Sequence, residues 1–178
     1  MSTHPLTRTP YHVGLATCAL ESAMGALGPM AGTDWSAIRA GVEPGLGTPA
    51  GPVPWTVRTV HSCQGPLHIE LLEGSPGSIW ETPLTTSVHH VGYWSDDVAG
   101  DIERLGHEGW SLELSLFADG RPVEFAYLTK DESIRIELVD LARRPAYLER
   151  VGTACYSTDA DPTNADRATA DHTSQEGV

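Results

Sequence analysis

The sequence predicts an α+β protein built from two βαβββ modules, and three observations carry that prediction. The tripeptide His-Val-Gly occurs twice, in "TPYHVGLAT" and in "SVHHVGYWSDD", each time opening an apolar run that leads into a helix-like segment. The tripeptide Ile-Glu-Leu also occurs twice, in "HIELLE" and "RIELVD", each time in the last apolar run of its half. Between these marks the order of elements is the same in both halves, as expected of an internal repeat.

In the first half, about 10–75, "YHVGLAT" is expected as a strand and "ALESAMGALG" as a helix, with Gly28 and Pro29 as stop signals. "DWSAIRA" is expected as a short strand and "GVEPGLGTPAGPVP", dense in Gly and Pro, as a loop. "WTVRTVHSC" alternates as a half-buried strand does, and "LHIELLEG" is a strand closed by Gly74. In the second half, about 88–140, "VHHVGYW" is a strand. The following helix has Ser95 as its expected cap and places Val98, Ile102 and Leu105 on one face. "WSLELSLF" is a strand, and "EFAYLTKD" and "SIRIELVD" form a hairpin through "KDES". A short helix in "RRPAYLERV" closes a domain spanning 10–150. Residues 152–178 are Ala, Thr, Asp and Ser with almost no large apolar side chain, so an acidic tail, disordered beyond about Ser157, is expected.

Composition narrows the function classes. The chain has 178 residues and a formal charge of −13, which disfavours binding to phosphate backbones. No apolar run approaches a membrane span and the N-terminus lacks a signal-peptide core, so a soluble cytoplasmic protein is expected. The cysteines, Cys18, Cys63 and Cys155, are widely spaced and suggest neither a zinc knuckle nor a disulfide framework.

Aligning the halves at His-Val-Gly puts His12 on His90 and Glu70 on Glu137. A glutamate inside an apolar strand is costly unless paired or coordinated. Two imidazoles and two carboxylates suit one divalent ion: Zn, Fe, Ni, Co or Mn. Adjacent strand residues point to opposite faces, so His89 is expected to face outward. Glu73 and Asp140, rivals of the two glutamates, fall on the opposite strand face. Arg135 shares the face of Glu137, where it either clamps an acidic substrate or neutralises a nearby acid. Trp35, Trp55, Trp80 and Trp94 are candidates for an apolar pocket, with Trp94 matching the parity of His90.

The ordered set "YHVGLAT…HIELLE…HHVGYWSDDV…RIELVD" resembles the vicinal oxygen chelate superfamily. That superfamily includes glyoxalase I, methylmalonyl-CoA epimerase, extradiol dioxygenases, and the fosfomycin and bleomycin resistance proteins. The resemblance covers roughly Tyr11 to Asp140. It implies a curved, mostly antiparallel sheet around a metal held by His12, Glu70, His90 and Glu137. It also implies a homodimer, with modules paired within a chain or between two chains. A small substrate with two neighbouring oxygens is then expected to lose a proton alpha to a carbonyl, with Glu137 or Glu70 as base and Arg135 and Trp94 contacting the substrate. The two-His, two-Glu set looks more like glyoxalase I than like methylmalonyl-CoA epimerases, which have an amide where Glu70 stands. A metal-free, drug-sequestering protein is the alternative from another class, and an iron-dependent ring-cleaving dioxygenase is a further one. The Gly/Pro-rich stretch from Gly41 to Pro54 matches no motif of the superfamily.

Overall fold

The computed structural model describes residues 8–41, 44–131 and 134–156. Among the described residues, ten strands form one sheet. The first module contributes β1 (His12–Ala16), β2 (Arg39–Gly41), β5 (Val57–His61) and β6 (His68–Gly74), with helix α1 (Leu20–Ala31) after β1. The second contributes β7 (Ser87–Ser95), α2 (Val98–His107), β8 (Ser111–Ala118), β9 (Arg121–Lys130) and β10 (Ile134–Asp140). Two short strands, β3 (Leu46–Thr48) and β4 (Gly51–Pro52), lie in the segment expected to be a loop. The strand order is β2-β5-β6-β1-β7-β10-β9-β8-β3-β4. Only β1–β6 and β7–β10 pair in parallel; the other neighbours are antiparallel. The modules meet within one chain, through β1 and β7.

The order of strands forces the sheet to curl. β2 and β3 follow one another in sequence yet lie near opposite ends of the sheet. Five residue steps separate Gly41 from Leu46, and an extended chain covers at most roughly 17 Å in that length. The two ends must therefore come that close. Glycine and proline hid β3 and β4 from the sequence, because their pairing is supplied by a distant partner. Leu46 lies opposite Leu116 of β8 and is 3% exposed.

Alternation sorts side chains between the two faces. Outward, Leu71 and Val60 pack with Leu20 and Ala23 of α1. Likewise Ile136, Leu138, Ala126 and Leu128 pack with Val98 and Leu105 of α2. Each such valine, leucine or isoleucine side chain stabilises the fold by about 1.5–3 kcal/mol. Inward, Leu46, Leu72, Leu114, Leu116, Trp80 and Tyr127 form a third cluster. Helices thus cover the outside and leave the inside for a site.

Helix ends differ from expectation in two places. α1 runs through Pro29 to Ala31 and closes at Gly32, whose φ of 61° suits glycine. α2 is capped by Asp97, whose carboxylate accepts from the Gly100 N–H at 3.0 Å; Ser95 ends β7 and donates to Asp101 instead. Helix α3 (Arg144–Tyr156) extends past Gly152, the expected start of the tail. The tail beyond Tyr156 lies outside the described residues. Among the described residues no helix is long and apolar enough to cross a membrane.

Candidate metal centre

The repeated His-Val-Gly has a geometric reason. On β1, Gly14 lies between Glu70 of β6 and His90 of β7. On β7, Gly92 lies between His12 of β1 and Glu137 of β10. Two rows therefore cross the middle of the sheet, each reading carboxylate, glycine, imidazole. A Cβ on Gly14 would come within 1.9 Å of the His90 ring, and one on Gly92 within 2.0 Å of the His12 ring. Each module's glycine clears the space filled by the other module's histidine. The rows are two residues apart along the strands, so both project to the same, inner face.

The four side chains converge. One donor atom from each of His12, Glu70, His90 and Glu137 lies within 4.8 Å of all the others. His12 Nε2 is 3.1 Å from Glu137 Oε2 and 3.4 Å from Glu70 Oε2. His90 Nε2 is 3.3 Å from Glu70 Oε2 and 3.5 Å from Glu137 Oε2. The two Nε2 atoms are 2.6 Å apart. Donors about 2.1 Å from a common ion stand about 3.0–3.4 Å from their neighbours, close to the four imidazole–carboxylate separations. Glu70 Oε2 is buried and accepts no hydrogen bond among the described residues. This donor set suits a single divalent metal ion.

Electrostatics point the same way. Burial opposes charge on His12, but the Glu137 and Glu70 carboxylates outweigh it and raise its pKa to about 9. His90 is also raised, against burial, by the same two carboxylates. Burial pushes the glutamates up, yet the neighbouring imidazoles win: Glu137 falls to about 2 and Glu70 falls well below the usual range. Two buried anions thus demand positive charge, as imidazolium protons or as a cation.

The surroundings are uneven. His61 of β5 lies opposite Glu70, its Nε2 3.4 Å from Glu70 Oε1. The Arg150 guanidinium of α3 donates to His61 Nδ1 at 2.9 Å, so the ring proton sits on Nε2 and faces Glu70. Burial, with Arg150 adding to it, lowers the His61 pKa to about 3. In the second module the residue opposite Glu137 is Tyr127, whose pKa is raised by burial and by the two carboxylates.

His89 does not face outward. β1 pairs Gly14 with His90 and Leu15 with Val88, so β7 bulges at His89. Its ring is buried, with Nδ1 2.9 Å from His90 Nδ1 and Nε2 2.8 Å from the Ile79 carbonyl. Burial and the adjacent His90 hold its pKa near about 3. Alternation alone could not reveal this, since a bulge breaks it.

A cavity of about 240 Å³ adjoins the centre, with Glu70, Glu137 and His61 on its wall. Trp94 lines it, stacked on Tyr11 with ring centroids 3.8 Å apart; Trp55 and Trp80 line it too. Trp35 instead packs beneath α1 and donates to the Met24 carbonyl. Arg135 does not line the cavity. It makes two bonds to the Glu113 carboxylate, at 2.6 and 2.8 Å, which is the acid-neutralising role. Three other arginines, Arg39, Arg143 and Arg150, do line the cavity. Sequence reasoning missed them, because β2 and α3 meet only in the fold. Of the rival carboxylates, Glu73 pairs with Arg58, and Asp140 caps the turn at Leu141–Arg143.

Residues 11–127 match the family model of the glyoxalase/bleomycin resistance protein/dioxygenase superfamily. The chain belongs to this superfamily, whose vicinal oxygen chelate architecture the paired modules display. Among solved structures it is similar to methylmalonyl-CoA epimerase from Mycobacterium tuberculosis, with 17% identity and a TM-score of 0.57, over 83% of this chain and 96% of that one. It is similar to a variant of the Streptomyces coelicolor methylmalonyl-CoA epimerase in complex with 2-nitronate-propionyl-CoA, with 20% identity and a TM-score of 0.53, over 76% and 98%. A variant of 4-hydroxymandelate synthase from Streptomyces coelicolor shares 19% identity with a TM-score of 0.52, over 75% of this chain and 38% of that one. No curated protein matches the sequence.

Proposed function

We propose that the protein is a divalent-metal-dependent isomerase, epimerase or lyase that removes a proton alpha to a carbonyl. Its substrate is small, with two neighbouring oxygens. The observation that carries this reading is the convergence of two imidazoles and two carboxylates, all buried, with both carboxylates on the wall of a cavity. His12, Glu70, His90 and Glu137 would hold the ion. Once bound, it would supply Lewis-acid polarisation of the carbonyl and offset the negative charge of an enolate. A metal-free trap for drugs has no use for four buried ionisable groups, whose desolvation is costly.

The chain's own residues do the rest. Glu137 reaches the cavity and carries no proton at neutral pH, so it can take one from the substrate's alpha carbon. Glu70 is the second candidate base, and the His61 Nε2–H beside its Oε1 steadies that oxygen. Trp94, Tyr11 and Tyr147 wall off water from the reacting carbon. Arg39, Arg143 and Arg150 stand out in a chain with 11 Lys and Arg against 24 Asp and Glu. Arg143 pairs with Glu124 and Arg150 donates to His61, and Arg39 on the cavity wall favours a substrate with an acidic group.

The test has two stages. Metal analysis of protein purified without chelators should find one equivalent of a divalent ion. The loaded protein, incubated in deuterium oxide with carboxylated acyl thioesters, methylmalonyl-CoA among them, and with 2-hydroxyketones, should exchange the alpha proton of one class. A metal-free protein that still binds these compounds would leave sequestration as the better reading.

A further inference from the structure

One hydrogen bond sets the direction of a second. The Ile79 carbonyl can only accept, so the His89 Nε2 that lies 2.8 Å away carries a proton. A buried imidazole held between a carbonyl and another imidazole is neutral and has one ring proton to give. His89 Nδ1 is therefore bare and accepts. Its partner at 2.9 Å is His90 Nδ1, which must donate. The proton of a neutral His90 is thereby spent on the side away from the cluster. Its Nε2 lone pair is left facing Glu70, Glu137 and His12.

We propose that His89 is a positioning residue that fixes the tautomer and ring angle of His90, so that Nε2 is preset to coordinate the metal. The bulge in β7 is what makes this possible, because regular alternation would turn His89 to the outer face. A ligating histidine commonly anchors its other nitrogen in this way, and losing the anchor weakens metal binding. His12 has no such support: its Nδ1 is buried without a hydrogen-bond partner among the described residues. The relay starts at Ile79, one residue before Trp80 on the cavity wall, so it also ties the inter-module connection to the centre.

The inference rests on the metal reading, and its test separates the two. His89→Phe fills the space but accepts no hydrogen bond, whereas the amide oxygen of His89→Gln can accept one. Zinc affinity, measured by chelator competition, should fall about 10–100-fold in His89→Phe and recover most of that loss in His89→Gln. In nitrogen-15 spectra of the zinc-loaded parent protein, His90 should carry its proton on Nδ1. Zinc affinity unchanged in a folded His89→Phe protein would overturn the proposal, as would a His90 proton on Nε2. If neither variant folds, the parent spectra alone decide. If the parent binds none of zinc, iron, nickel, cobalt and manganese, the metal reading fails, and spectra of the metal-free protein in alkaline solution still decide the relay by the same criterion.

Discussion

The two modules bring identical ligands to the centre and surround them differently. In the first, Glu70 is backed by His61 and through it by Arg150 of α3, while His12 has no partner for its outer nitrogen among the described residues. In the second, Glu137 is backed by Tyr127, while the outer nitrogen of His90 is anchored by His89. The firmly held carboxylate and the firmly held imidazole therefore come from opposite modules, and they share one row, across Gly14. The other row, His12–Gly92–Glu137, has the looser pair. On the proposed function, the difference makes the Glu70–Gly14–His90 row the more firmly supported one and Glu137 the better candidate for the carboxylate that moves.

The harshest way to break this comparison is to empty both rows. The double variant His12→Ala, His90→Ala should bind no metal in elemental analysis. Full occupancy in a folded double variant would end the chelate reading. Singly, His90→Ala should lose more metal than His12→Ala, because it removes the anchored ligand.

Filling the gaps comes next. Gly14→Ala should displace the His90 ring and Gly92→Ala the His12 ring, each costing about 1–3 kcal/mol from overpacking. Both should lower metal occupancy with all four ligands still present, measured beside thermal unfolding. An ordinary occupancy in either would mean that the rings need no such clearance.

Much of this was legible in the sequence, and the reason lies in the rows. His12, Glu70, His90 and Glu137 are polar residues repeated at matched places in apolar strands, which is a signal a single chain can show. The glycines were equally visible as the third residue of His-Val-Gly, but their role as clearances depends on the β1–β7 register. β3 and β4 were illegible because Leu46 pairs with Leu116 across the curl of the sheet. The burial of His89 was illegible because it depends on a bulge. His61 is the cross-strand neighbour of Glu70, and Arg150 reaches it from a helix 89 residues further on.

The acid–base balance sharpens the comparison further. His12 titrates at about 9 in the fold against 6.5 outside it. The stability this adds is complete below pH 6.5 and is lost as pH rises through about 9. The carboxylates run the other way: their contribution is present above pH 4.5 and is lost as pH falls, for Glu137 through about 2. His61 and His89, held at about 3 in the fold against 6.5 outside it, cost stability as pH falls below 6.5, so metal-free protein should be most resistant to denaturant near about pH 6.5. A bound ion takes over the role of the imidazolium protons, so metal affinity should rise with pH up to about 9. Calorimetry in buffers of different ionisation enthalpy should detect the released protons, and an affinity flat across this range would contradict the assignment.

The mildest changes test the two carboxylates and the residues behind them. Glu137→Gln should lower metal occupancy modestly and alpha-proton exchange far more, whereas Glu70→Gln should lower both alike. Tyr127→Phe should change metal affinity less than His61→Phe, since Tyr127 gives Glu137 no relay to a cation. Reversed outcomes would exchange the roles of the two rows.

The crossed rows also constrain how the chain reaches its fold. A first module that condensed alone would bury Glu70 beside the gap at Gly14, without the His90 ring that fills it. The missing ring arrives only with β7, and Leu46 finds its neighbour only after β8 has formed. Neither half has a comfortable resting place without the other. Closure of loops this long is slow, and the contacts that reward it come together. Refolding should accordingly be single-exponential and unhurried, with both halves protected from hydrogen exchange at the same moment despite the repeat written in the sequence.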